Sequence, residues 1–578
     1  LDGGSISAGT NLLTLAGDVS VTANSGTIYR PVSLGGGSRQ FTVTPGGELD
    51  FFAPISNGSL VLNGGGFLWP SEANTYTGPT IVNQGVLGLT YADTFLPGNG
   101  GVVVNAGGTV DIFSVLNSLP VNVLNTTLTL NGGTVFADAN PAGWSGPINV
   151  TADSALCSAS SSLGIYGPIT GTGNLLITSQ SSNLEVAYYG SADNLNTGTT
   201  MITNRAHLVL ARTGGATAMN GPVVVGNGQD PFHSAALELR QPNQINNSTP
   251  VTVNASGIFH VYNDDVIGSL TLSNGWVDGT NLLTLAGAVT NQGQSYLYCP
   301  LSLGGAVRRA NISGALELYG ALGDGGAPAG LVITGGGGID FNTSNSFSGP
   351  LTVDQASWIG VYDNHALGSP SGILYLTNNA IMYLGGVSIF GKTACLDGGP
   401  VGTWPGGIVY VGTNLWTGPI QLLDTVAIAD QSGYGNFMDV SGPISGPGGW
   451  SVSAFGTLRI GGTTTNTFSG GLACYAGTLE LAKTNVPALV GPLAIGGGTV
   501  RLLNQNQIAS SVEVDFDYYP SINPGVLDLN GFNDTVGDLR DPFGVGTVKL
   551  ANSTLTVGGI NSLNFYNGQL TGTGGYLV

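Results

Sequence analysis

Asn74-Thr75-Tyr76-Thr77-Gly78-Pro79 returns as Asn345-Ser346-Phe347-Ser348-Gly349-Pro350 and again as Asn466-Thr467-Phe468-Ser469-Gly470-Gly471. Each copy leads into a short β-prone stretch: Thr80-Ile81-Val82, Leu351-Thr352-Val353 or Leu472-Ala473-Cys474. A phrase that recurs in this way marks a solenoid, in which no unit buries its apolar side alone and each must stack on its neighbours. Tyr76, Phe347 and Phe468 hold the same place in their copies and are expected in the core or at a corner, not on a ligand platform.

Gly-Pro turns followed by an apolar residue mark a shorter period, as at Gly146-Pro147-Ile148, Gly167-Pro168-Ile169, Gly418-Pro419-Ile420 and Gly442-Pro443-Ile444. Proline suits the first position of a strand, where no ladder hydrogen bond is yet required of its missing N–H. Between the turns, Val86-Leu87-Gly88-Leu89, Ala236-Leu237-Glu238-Leu239 and Thr478-Leu479-Glu480-Leu481 alternate apolar with small or polar residues, the period of a strand with one buried face. No stretch carries useful helical amphipathy. The expected fold is all-β, a parallel β-helix with about 22 residues per coil and two or three strands in each.

A long period lies above the short one. Gly9 to Gly17 (Gly-Thr-Asn-Leu-Leu-Thr-Leu-Ala-Gly) is repeated letter for letter 270 residues later as Gly279 to Gly287, and Trp144-Ser145-Gly146-Pro147-Ile148 returns as Trp416-Thr417-Gly418-Pro419-Ile420. The expected organisation is one continuous β-helix over 1–578, with long repeats near 9–278 and 279–549 and a partial third at 550–578. About 26 coils at roughly 4.8 Å each would make a single elongated rod on the order of 125 Å.

Composition narrows the function. Only 8% of the 578 residues are charged, 96 are Gly, and the net charge is −20. No basic cluster exceeds Arg308-Arg309, so a nucleic-acid partner, which needs a basic face, is excluded. No apolar run is long enough for a membrane-spanning helix. Cys157, Cys299, Cys395 and Cys474 lie far apart and read as small buried hydrophobes, with long-range disulfide pairing left open by their spacing. The chain starts at Leu1 and ends in mid-pattern at Val578, so the expectation is a piece of something longer whose targeting segments lie elsewhere.

The phrase Asn-Thr-Tyr-Thr-Gly, the V-x-x-G-x-L-x-L strands and the run Leu527-Asp528-Leu529-Asn530-Gly531-Phe532-Asn533-Asp534-Thr535-Val536-Gly537-Asp538-Leu539 resemble the autotransporter-associated β-strand repeat. Diverged copies cover most of the chain. The resemblance implies a right-handed parallel β-helix belonging to a large secreted or surface-exposed bacterial protein, a passenger or adhesin.

Candidate sites are sparse. Asp264-Asp265, within His260-Val261-Tyr262-Asn263-Asp264-Asp265, is the one adjacent acidic pair outside turns and could act as a general acid and base, though a solvated turn is the plainer reading. In Asp515-Phe516-Asp517-Tyr518-Tyr519 alternation points Asp515 and Asp517 the same way, and with Tyr518 and Tyr519 beside them they form the candidate ligand site, suited to a sugar or a structural Ca²⁺. Gly335-Gly336-Gly337-Gly338-Ile339-Asp340 is a single, weak match to a Ca²⁺-binding nonapeptide. His207, His233, His260 and His365 are scattered along the sequence, so no metal site, cofactor or catalytic residue is expected. The expected function is a non-catalytic extracellular rod or filament on a bacterial cell surface, self-associating end to end. The alternatives are an adhesin that binds surface glycans through exposed aromatics such as Tyr188-Tyr189, and, less favoured, a polysaccharide lyase or hydrolase.

Overall fold

Burial alternates residue by residue along the strands, and this decides how the chain stacks. In Ser59–Asn63 Leu60 and Leu62 point inward, while in Leu351–Val353 Leu351 and Val353 do so around an outward Thr352. The computed structural model describes residues 1–22, 24–89, 100–113, 121–123, 126–138, 142–398, 406–430, 435–516, 524–560 and 562–578. Every element among them is a strand, and paired strands run parallel. The strands form a β-solenoid of about 25 turns with about 21 residues in each. By density of internal contact the chain divides into two compact units, Leu1–Gly287 with Tyr298–Pro300, and Ala288–Leu297 with Leu301–Val578.

In the first unit a single inward column runs Leu49, Leu68, Leu87, Val110, Val135 and Leu156, each in register with the next. It continues through Ile177, Ile202, Val225, Val253 and Leu272, all fully buried. The second unit repeats the device with Ala310, Ile333, Val353, Leu376, Leu396 and Leu422. Burying each Val, Leu or Ile contributes about 1.5–3 kcal/mol, and because neighbours lie one turn apart the gain accrues turn by turn.

The recurring phrase is a corner fastener. In each copy the Asn carbonyl oxygen accepts a backbone N–H from the preceding turn: Ile55 to Asn74 at 2.8 Å, Leu322 to Asn345 at 2.8 Å, and Ile444 to Asn466 at 2.9 Å. The amide N–H₂ of Asn345 and Asn466 donates to the following turn, at Ala366 O (2.6 Å) and Ala488 O (2.9 Å). Asn194, in Asn194-Leu195-Asn196-Thr197-Gly198, does both, with Ile169 N and Ala218 O. Tyr76, Phe347 and Phe468 are wholly buried behind these amides, as the repeat position suggested. The closing Gly-Pro step works by absence: a Cβ on Gly442 would fall on the carbonyl of Gly418, and the Pro443 carbonyl accepts from Ile420 N at 2.9 Å.

Three cations lie inside these corners. Arg212 donates to Gly167 O (2.7 Å) and Asn194 Oδ1 (2.6 Å), Lys392 to Leu367 O and Ser369 O (2.7 and 2.8 Å), and Lys483 to Gly442 O (3.1 Å). Burial holds the Lys392 and Lys483 ammonium groups down to about 8. Their donors satisfy carbonyls at corners where the strand ladder is interrupted, the condition under which buried charge is tolerated.

Two outward columns set register by polarity. In the first unit Asn63, Asn83, Asn105 and Asn131 form an amide ladder, each donating to the one before at 2.7–3.0 Å along its upper steps. In the second unit Asp439, Arg459, Glu480, Arg501, Asp528 and Lys549 are stacked in register with alternating sign. All four cysteines are buried and free.

Candidate functional site

Of the candidate ligand residues, Asp515 ends the strand Glu513–Asp515, whereas Asp517, Tyr518 and Tyr519 lie outside the described residues. Asp515 is taken up by an ion pair, with Arg540 Nη1 2.8 Å from its Oδ2 on the next turn. It closes one end of an open groove of about 330 Å³ whose floor is the outward column Ser451, Ala473 and Ala494, small side chains that leave a trough beside Tyr475 and Glu513.

Other candidates resolve into structure. Asp265 is buried, not solvated: its carboxylate accepts from Gln244 N (2.6 Å), Ile245 N (3.2 Å) and Val266 N (2.8 Å). Asp534 repeats the arrangement with Gln507 N (2.8 Å), Ile508 N (3.3 Å) and Thr535 N (2.8 Å). Burial raises both carboxyls, against the lowering effect of these backbone donors. Asp264 accepts from Leu282 N at 2.9 Å. Tyr188, read as an exposed platform, is in the core because alternation turns it inward beside Leu210, and only Tyr189 faces out, stacked on Tyr166. Asp340 stands on the strand Gly338–Phe341, where burial and then Glu317 on the preceding turn raise it to about 6. Among the described residues no group of three His, Cys, Asp or Glu has metal-binding geometry.

The richest collection of reactive side chains is one that sequence spacing disperses. The strands Glu185–Tyr188, His207–Leu210, Ala235–Leu239, Gly257–Val261 and Trp276–Gly279 stack in register in the first unit. One outward column reads Glu185, His207, Ala236, Ile258, Trp276, and the next begins with Ala187 and Val209, covered in a small buried cluster with Ala211, and continues with Glu238, His260 and Asp278. Three of the chain's four histidines therefore meet on one face: His207 and His260 with ring centres 6.3 Å apart, and His233, from the loop ahead of Ala235–Leu239, packed edge-on against Trp276 at 4.9 Å.

His260 Nδ1 lies 2.7 Å from Asp278 Oδ1, and His207 Nε2 lies 3.0 Å from Glu238 Oε2 without the alignment of a hydrogen bond. Arg240 bridges two carboxylates, bidentate to Glu185 (3.0 and 3.2 Å) and bonded through Nε to Glu238 (2.8 Å). Burial lowers His207, opposed by Glu238 and Glu185, and burial likewise lowers His233, so both imidazoles are held toward the neutral form. Nε2 of His207 and of His233 are buried with no hydrogen-bond partner. Phe232, Tyr262 and Tyr298 are exposed around the same face, Phe232 at 62%. The shared outward parity of His207, Glu238, His260 and Asp278 was legible. Their irregular spacing, set by loops of unequal length, hid that they are neighbours.

Comparison with family models, with curated proteins and with solved structures finds no match to this chain.

Proposed function

We propose that the chain is a non-catalytic structural β-solenoid of the autotransporter-associated repeat kind, displayed outside a bacterial cell as part of a rod or filament, with turns of neighbouring copies stacking end to end. The carrying observation is what the chain repeats: the duplicated residues are the ones that fasten turn to turn. Asn74, Asn345 and Asn466 bond backbone across turns, and their aromatic partners are wholly buried. Duplication of such units lengthens a stack without requiring a new core. Stacking of one copy on another would use the same parallel backbone pairing and forms a heterologous contact that does not close on itself. Negative-stain electron microscopy of the purified chain across a concentration series tests this. End-joined filaments that lengthen with concentration are expected, and particles of one fixed size at every concentration contradict the proposal.

A further inference from the structure

The face built by His207, Glu238, His260, Asp278 and Trp276 lies outside the apolar core of its turns. Its inward neighbours Leu208, Leu237, Phe259 and Val277 already form a closed apolar column. We propose that this face binds a neutral, extended β-linked polysaccharide lying along the stack of turns.

Four observations carry the inference. First, ring faces and fixed hydrogen-bonding groups lie side by side: Trp276 stacks on Tyr298 at 4.8 Å, Tyr262 on His260 at 5.4 Å, and Phe232 on His233 at 3.7 Å. A sugar presents the matching pair of surfaces, an apolar C–H face for a ring and an edge of hydroxyls for carboxylate and imidazole. Second, the Nε2 atoms of His207 and His233 make no aligned hydrogen bond within the protein, His207 Nε2 having only the Glu238 carboxylate beside it at 3.0 Å. Buried polar atoms ordinarily have a partner, and because each ring is itself part exposed, a turn of the ring that brought Nε2 to the surface would let a ligand hydroxyl supply one. Third, Glu238, His260 and Asp278 occupy successive turns of one column, about 4.8 Å apart, close to the rise of one sugar in an extended β-linked chain, so consecutive residues of a glycan meet consecutive turns. Fourth, charge selects the class. Glu185, Glu238 and Asp278 face the surface, the one arginine is spent on Glu185 and Glu238, and His207 and His233 are held toward neutrality. With three carboxylates set against one arginine the face is net negative, which disfavours a uronate chain and leaves a neutral chain unaffected.

The test is isothermal titration of the purified chain with cellohexaose, xylohexaose, mannohexaose and N-acetylchitohexaose, alongside hexagalacturonate. At least one neutral hexaose is expected to bind. Phe232→Ala, a change at an exposed loop position, is expected to weaken it about tenfold or more, and Glu238→Gln by several-fold. Phe455→Ala, at an equally exposed aromatic of the other unit, is expected to leave it unchanged. Circular dichroism and melting of Phe232→Ala should match the parent, which separates lost binding from lost fold. No binding by any neutral hexaose, tighter binding of hexagalacturonate, or affinity unaltered in both Phe232→Ala and Glu238→Gln would overturn the proposal.

Discussion

Asn466 joins three turns with one side chain, taking an N–H from Ile444 and giving one to Ala488, and it is fully buried while doing so. Asn466→Ala strands both backbone groups away from water, so a loss of about 2–4 kcal/mol is expected in urea denaturation. Asn466→Asp keeps the acceptor and loses the donor, and should also destabilise. Asp111 poses a different problem. It is buried, its Oδ1 has no partner, and burial followed by the nearby Asp138 raises it to about 7. A carboxyl raised above its unfolded value near 3.9 binds its proton more tightly when folded, so this site favours folding most below that value and loses that contribution as pH climbs through about 7. Asp111→Asn should therefore gain stability over the parent at pH 8 and lose that advantage at pH 4, as read from paired melts. An equal difference at both pH values would refute the assignment. The role of Asn466 was half legible: its recurrence announced a corner, but only the register of turns shows which backbone groups it serves. Nothing in the sequence around Asp111 distinguishes it from a surface aspartate, because its burial comes from neighbours one turn away.

At the scale of elements, alternation foretold the strands, and the Gly-Pro steps foretold the corners. The columns were not legible, since loops of unequal length carry the register between turns. Asp439, Arg459, Glu480, Arg501, Asp528 and Lys549 are unremarkable until they are stacked, and then every neighbour is of opposite sign. Partly exposed pairs such as Arg459–Glu480 and Arg501–Asp528 contribute only about 0.2–1 kcal/mol each, so their larger effect is on pairing choice, because like charges placed directly opposite one another are disfavoured. Arg501→Gln should destabilise by about 0.5 kcal/mol. Arg501→Glu, which sets three acids in a row, should destabilise by more and recover partly in 1 M salt, where screening is strong. At the corners, Gly442→Val has no room beside the Gly418 carbonyl, and it should open the adjoining turns to protease while distant turns of the same unit stay protected. Uniform protection would show that this corner is looser than described.

For the whole chain, the repeated phrase was enough to give a parallel solenoid, with about 25 turns of about 21 residues against the 26 and 22 read from the sequence. Chemistry was less legible than architecture. Asp515 was singled out by alternation and proves to be an ion-pair partner, while the histidine face was missed because its members are brought together only by stacking. A molecule stabilised by neighbour terms should also unfold in stages, so probes placed in the two units are expected to report different urea midpoints. Coincident transitions with a slope appropriate to the full length would contradict that. The stacking itself is tested most directly by electron paramagnetic resonance distances within the second unit. The outward column Arg309, Val332, Thr352, Tyr375, Cys395, Gln421 and Ser445 advances one turn per residue. With the native cysteines replaced, spin labels at 309 paired with labels at 395, 421 and 445 should report separations rising evenly by about 4.8 Å per turn, to roughly 29 Å for the last pair. Distances that fail to rise in step along this series would show that the turns are not stacked in parallel register.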